Sequence, residues 1–177
     1  AGVHSGNPIT TIPVTKNVLT DGNTMAPNTT FEFEVAVADA GTFNDRNKDQ
    51  VVYKGIDGGL TAETGAAFTP GGKESAAETY TAEGSLKTDA AVFKRPGVYH
   101  YTVTEKANNY EGVTTDTTSY DVYVYVYNRT DGLYVGNVVS AKNGDKADLI
   151  FNNDYGQDKN KDTTHDVVIK KVITGNQ

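Results

Sequence analysis

Apolar and polar residues alternate with a period of two along much of this chain, the spacing that turns one face of a strand toward a core and the other toward water. Phe31-Glu32-Phe33-Glu34-Val35-Ala36-Val37 is one such run. Val98-Tyr99-His100-Tyr101-Thr102-Val103-Thr104-Glu105 is a second, introduced by the turn pair Pro96-Gly97. The strongest is Tyr120-Asp121-Val122-Tyr123-Val124-Tyr125-Val126-Tyr127, which meets Leu133-Tyr134-Val135 across a hairpin-type connection at 128–132. No stretch holds a helical period. Residues 62–77, interrupted by Gly and Thr, read as a loop and as the best place for a short helix. Short strands separated by Gly, Asp and Asn turns predict an all-β chain folded as an immunoglobulin-like β-sandwich.

The same parity assigns side chains to faces. Near the start, Ile12, Val14, Lys16 and Val18 share a face, with Pro13, Thr15 and Asn17 opposite. In the middle, Tyr99, Tyr101, Val103 and Glu105 lie together while His100, Thr102 and Thr104 look outward. Near the end, Leu149, Phe151 and Asn153 align against Ile150 and Asn152. A lysine, a glutamate and an asparagine therefore each stand in register with an apolar face.

Buried ionisable groups pair or change protonation state, because an unpaired buried charge is costly. In a dry pocket the amine tends to lose its proton and the carboxyl to keep one. A neutral Lys16 amine against the Asn153 side-chain amide is a nucleophile facing a carbonyl carbon. A protonated Glu105 beside them could polarise that carbonyl and shuttle protons while ammonia leaves. The product is a Lys-Asn isopeptide bond between first and last strands. The residues alone allow a second reading, a Lys16–Glu105 ion pair capped by Asn153, and a lysine near a strand end can also snorkel to water.

Composition narrows the setting. With 177 residues the chain suits one well-cored domain. Net charge is −7, from 23 acidic against 16 basic residues, which argues against a nucleic-acid partner needing a basic face. No apolar run approaches the roughly 18 residues of a membrane-spanning helix, and no charged-then-apolar leader opens the chain. Cysteine is absent, so covalent bracing must use other chemistry than a disulfide.

Residues 1–154 are expected to form the sandwich domain and 155–164, alternating among Lys, Asp, Asn and Gln, a linker. Lys170-Lys171-Val172-Ile173-Thr174 repeats the pattern of Lys16-Asn17-Val18-Leu19-Thr20, so 165–177 are expected to open a second, truncated domain.

Other signals carry little. Asp45-Arg46-Asn47-Lys48-Asp49 has the opening spacing of a calcium loop, but Gln50 stands at its glycine position and Ile56 at its bidentate glutamate. Asn28-Thr29-Thr30 and Asn128-Arg129-Thr130 match the glycosylation sequon and read here as turns. His4, His100 and His165 show no metal-ligand spacing, and no metal or other cofactor is expected.

The chain resembles the isopeptide-containing shaft pilins of streptococci, in the N-terminal domain of the FctA-type major pilins. The resemblance is carried by Val14-Thr15-Lys16-Asn17, by Pro27 through Phe33, by Phe93-Lys94-Arg95-Pro96-Gly97 running on to Glu105, by Asp116-Thr117-Thr118-Ser119-Tyr120, and by Ile150-Phe151-Asn152-Asn153. These segments span nearly the whole chain in order, with 39–87 unmatched. The resemblance implies that Lys16 bonds Asn153 with help from Glu105. It further implies that Lys146, in Asn143-Gly144-Asp145-Lys146, is the amine a sortase joins to the C-terminal threonine of the next subunit. Lys170 matches the lysine that opens the family's second domain; its partners are absent here, so it is expected to stay an ordinary amine. The expected function is structural: a Gram-positive, cell-wall-anchored surface pilus subunit, with neighbouring pilins and a pilus sortase as partners and no enzymatic turnover. The rival expectation is a ligand-binding adhesin module on the same scaffold, binding host surface components through 39–87.

Overall fold

The computed structural model describes residues 6–156. Thirteen strands lie among them, in order β1 (Thr11–Leu19), β2 (Thr29–Phe31), β3 (Phe33–Val37), β4 (Gly41–Asp45), β5 (Lys48–Lys54), β6 (Leu60–Thr64), β7 (Ala66–Phe68), β8 (Thr79–Thr88), β9 (Gly97–Glu105), β10 (Tyr120–Arg129), β11 (Gly132–Lys142), β12 (Asp145–Lys146) and β13 (Ile150–Asp154). They build two facing sheets. One runs β13-β1-β8-β6; the other runs β12-β11-β10-β9-β5-β4, with β3 also paired to β9. A short β2–β7 pair closes one side. The all-β sandwich expectation holds.

The core lies between the sheets. Val14, Val18 and Leu86 from the first sheet meet Tyr101, Val103, Val122 and Val124 from the second, all fully buried. Burial of such side chains contributes about 1.5–3 kcal/mol each and is the main favourable term.

The first and last strands, β1 and β13, are parallel neighbours, with Lys16 opposite Phe151 and Val18 opposite Asn153. On its other side β1 pairs antiparallel with β8, placing Ala82 opposite Lys16. Residue 16 thus sits mid-strand in mid-sheet, without an edge toward which its side chain could reach water.

Four local expectations are corrected. The 31–37 run is not one strand: β2 pairs with β7 and β3 with β9, so the chain changes sheets at Glu32. Alternation survives such a switch, which is why the pattern hides it. The 62–77 stretch forms β6 end, β7 and a single 3-10 turn at Lys73–Ser75 in place of a loop with a helix. His100 does not look out to water. The β4–β5 hairpin folds over the outer face of the second sheet and packs Phe43 and Val52 on Val98, Tyr123 and Tyr125. The His100 ring stacks on Tyr123 at 4.8 Å and contacts the Asp121 carboxylate at 2.8 Å. Finally, 39–87 is no appended surface, since β8 lies inside the first sheet and β5 pairs with β9.

The Asp45–Asp49 segment is the tight turn of that hairpin, with Arg46 and Asn47 both at positive φ. Tyr155 and Gly156 still hydrogen-bond the domain through Leu19 and Gly112. The rest of the expected linker, the repeat at 165–177, Lys170, His4 and His165 lie outside the described residues. Among the described residues no helix is long and apolar enough to cross a membrane.

A candidate intramolecular crosslinking site

Parity in three strands brings Lys16, Glu105 and Asn153 to one point between the sheets. Lys16 is 0 % exposed, Asn153 1 % and Glu105 7 %, and together with Thr20 they are the buried polar residues of the described chain. The lysine and asparagine come from adjacent strands of one sheet; the glutamate, last residue of β9, reaches across from the other. Snorkelling is ruled out by the complete burial of Lys16.

The glutamate carboxyl bridges the other two groups. Its Oε1 lies 3.2 Å from Lys16 Nζ. Its Oε2 accepts a 2.9 Å hydrogen bond from Asn153 Nδ2. Lys16 Nζ also donates to the Asn17 carbonyl at 3.1 Å and reaches that of Phe151 at 3.5 Å. Directed bonding is incomplete: Glu105 Oε1 and Asn153 Oδ1 are both buried with no well-aligned donor. Buried polar atoms left this way are rare in settled cores and mark strained or reactive places.

Burial pushes the Lys16 amine down from 10.5 to about 8, although the Glu105 charge and hydrogen bond pull it back up. Burial likewise pushes the Glu105 carboxyl up, against the opposing pull of Lys16 and the Asn153 amide. Both shifts favour the neutral amine and the neutral acid. The surroundings are aromatic. The amine sits 4.6 Å from the Phe31 ring centroid, Phe33 packs on Phe151 at 5.3 Å, and Tyr120 meets Phe151 edge-on at 5.2 Å. Tyr120 also ties β13 down by donating its hydroxyl to the Ile150 carbonyl at 2.6 Å.

Of the two adjacent asparagines, Asn153 faces the amine. Asn152 faces away, its Oδ1 accepting from Asn17 Nδ2 at 3.0 Å on the outer side of the sheet. One detail departs from expectation: Glu105 meets the amide nitrogen of Asn153 and not its carbonyl oxygen. In this orientation the carboxyl faces both the attacking and the leaving nitrogen, one with each oxygen.

Sequence reasoning missed Asp116. Its Oδ2 accepts the Asn152 backbone N–H at 2.7 Å, its Oδ1 accepts that of Thr118 at 2.8 Å, and its own N–H points at Glu105 Oε2 from 3.4 Å. Asp116 thereby docks β13 and touches the acid at once. Its signal was the Asp-x-Thr spacing of an Asx turn, which the sequence shows but which does not say what the second oxygen holds.

Lys146 lies outside this cluster, on β12, the edge strand of the second sheet, with its side chain 44 % exposed. Its amine contacts Asp45 at 2.6 Å.

Residues 12–156 match the family described as the Spy0128-like isopeptide-containing domain, FctA. A pilin of Streptococcus pyogenes serotype M1 is 36% identical over 168 residues, covering 93% of this chain and 45% of that pilin. The chain thus spans less than half the length of that relative. The crystal structure of the major pilin from Streptococcus pyogenes superposes with a TM-score of 0.63 at 30% identity, over 83% of this chain and 50% of that one. The structure of the T-13 major pilin of the same species gives 0.62 at 28% identity, over 84% and 53%. A match from residue 12 to residue 156 encloses Lys16, Glu105 and Asn153, and the chain belongs to the FctA family of Spy0128-like isopeptide-containing domains.

Proposed function

We propose that this domain is part of a pilus shaft subunit and that it braces itself with a bond between Lys16 Nζ and Asn153 Cγ. The observation that carries the reading is the single carboxyl of Glu105, which faces the amine with one oxygen and the amide nitrogen with the other inside a buried site.

The chemistry balances without any added reagent. Proton transfer from Lys16 to Glu105 leaves amine and acid neutral. The amine attacks Asn153 Cγ, forming the C–N bond. Glu105 gives its proton to Nδ2 and recovers one from the lysine nitrogen. The Cγ–Nδ2 bond breaks and ammonia departs, leaving a secondary amide. The protein acts once, on itself. Tandem mass spectrometry of a proteolytic digest tests the site: a branched peptide joining the Lys16 and Asn153 segments is expected. A branch at Asn152 or Lys146, or none, overturns the assignment.

Joining parallel neighbours β1 and β13 suits a load-bearing part. Tension that tries to slide the two strands past each other meets a covalent bond instead of a ladder of hydrogen bonds. The pilins it resembles support a place at the surface of a Gram-positive cell, in a shaft of like subunits attached to the wall. In that setting Lys146 is the amine that a sortase joins to the C-terminal threonine of the next subunit, and residues 155–164 and 165–177 are the linker and the opening of a second domain. Exposure of Lys146 supports its part. Lys146→Arg is expected to abolish sortase-dependent linkage to a donor peptide while Lys142→Arg leaves it unchanged, read by mass shift; linkage persisting in Lys146→Arg would exclude that lysine.

Asp116 has an ancillary part, holding β13 in place for the reaction. Asp116→Ala loses a charge-assisted hydrogen bond worth about 1.5–3 kcal/mol. The ammonia loss of freshly synthesised, still unlinked chain, followed by mass against time, is expected to slow yet to run to completion. An unchanged rate would remove Asp116 from the account.

A further inference from the structure

Lys146 and Asp45 repeat, at the surface, the lysine–carboxylate pair that Lys16 and Glu105 make in the core. The β4–β5 hairpin carries Asp45 across the outer face of the second sheet until its Oδ1 meets Lys146 Nζ at 2.6 Å. The carboxylate side chain is only 16 % exposed, and Oδ1 is shut off from water. Its other oxygen accepts the Tyr125 hydroxyl at 2.6 Å, which fixes the carboxyl plane from the sheet beneath. Among the described residues Lys142, four positions away on β11, makes no ion pair.

We propose that Asp45, braced by Tyr125, holds the Lys146 amine in place as an acyl acceptor and takes its proton once an acyl donor covers the pair. This rests on the reading of Lys146 as the acceptor. The difference between the two lysine–carboxylate pairs is solvent. In the core, burial favours the neutral amine and acid, and the amine is poised to react. At the surface, Lys146 and the Tyr125 hydroxyl hold Asp45 below the ordinary carboxylate range, so the carboxylate rests ionised against the lysine. An ammonium is no nucleophile. A docked acyl-enzyme covers the half-exposed amine and removes the water that favours its charged form. The proton then passes to Asp45, and the free amine attacks the thioester carbonyl at the donor's terminal threonine. The C–N bond forms, the C–S bond breaks, and the departing thiolate takes the second proton of the amine.

Other charges around the pair are Arg46, next to Asp45 in the turn, Lys48, its register partner, Asp145, the strand neighbour of Lys146, and Asp148, which lines the groove beside it. Tyr127 faces Asp45 from β10. These balance in sign and leave Asp45 as the carboxylate in contact with the amine. An open groove lined by Arg46, Asn137, Val139 and Asp148 runs up to Lys146 and gives an extended donor segment room to approach.

The test is transpeptidation of the whole chain by a streptococcal pilus sortase with a labelled peptide carrying its threonine sorting motif, followed by initial rate against pH. The ammonia loss at Lys16 reports correct folding of every variant. Lys146→Arg must first abolish product; if it does not, the acceptor reading fails and this inference with it. With that satisfied, Asp45→Ala is expected to lower kcat about a hundredfold near neutral pH with little change in KM. Its rate should climb with pH as base in solution replaces the missing carboxylate, and Asp45→Glu should restore part of it. An Asp45→Ala protein that folds, keeps wild-type kcat and keeps its pH profile overturns the role of Asp45 while leaving Lys146 as acceptor.

Discussion

Glu105→Ala is expected to lower the melting temperature by about 10–20 °C, because the variant loses the bond and keeps the buried amine. A crosslink from residue 16 to residue 153 closes most of the domain into one loop. By the chain-entropy argument a loop of that size contributes about 4–5 kcal/mol. A domain of this size moves about 2–4 °C per kcal/mol. Added to this is the cost of a lysine buried without its carboxylate. Two comparators separate the contributions. Asn153→Ala also lacks the bond but retains the Lys16–Glu105 pair, and Lys16→Met lacks both bond and amine. Both are expected to melt below the wild type and above Glu105→Ala in scanning calorimetry. A Glu105→Ala protein melting within a few degrees of wild type would mean that no crosslink was there to lose.

The second large effect is a pH dependence that only unlinked protein shows. In Glu105→Ala the Lys16 amine remains free, and its folded-state value lies at or below about 8, since the carboxylate that raised it is gone. The unfolded amine titrates at about 10.4. Between those values the unfolded chain binds more protons than the folded one, so stability rises with pH through this window, by up to about 1.4 kcal/mol per pH unit. Below it, both forms hold the amine's proton and the penalty is full and constant. In linked protein the nitrogen is an amide that does not titrate there, so this contribution is absent. Urea midpoints measured from pH 7 to about 10.5 check it. A flat Glu105→Ala profile, or an equal rise in the wild type, contradicts the assignment of Lys16.

Much of the candidate site was legible because a strand period of two is rigid. Once Val14 and Val18 face a core, Lys16 must face it too, and the same holds for Asn153 beside Phe151 and Glu105 beyond Val103. Parity also separated Asn153 from Asn152. It could not show that the three strands converge, which depends on the parallel pairing of β1 with β13 and on the facing sheet, contacts between residues remote in sequence. The same limit hid the role of 39–87. Nothing local in Phe43 or Val52 says that their hairpin will cover His100 and Tyr123, so an outer face read as exposed is buried. Tyr-Val alternation in β10 arises because both its faces are covered, valine within the sandwich and tyrosine beneath the hairpin. Asp45 was read by its spacing as the start of a weak calcium loop; what the spacing marked was a tight turn, and the partner of its carboxylate lies about a hundred residues on.

The central claim is covalent, and the intact mass of the denatured chain tests it most directly. A wild-type mass lighter than the sequence by one ammonia, beside Glu105→Ala, Lys16→Arg and Asn153→Ala variants at full sequence mass, is the predicted result. A wild-type chain at full sequence mass would contradict it, and Lys16, Glu105 and Asn153 would then be a buried ion pair capped by an amide.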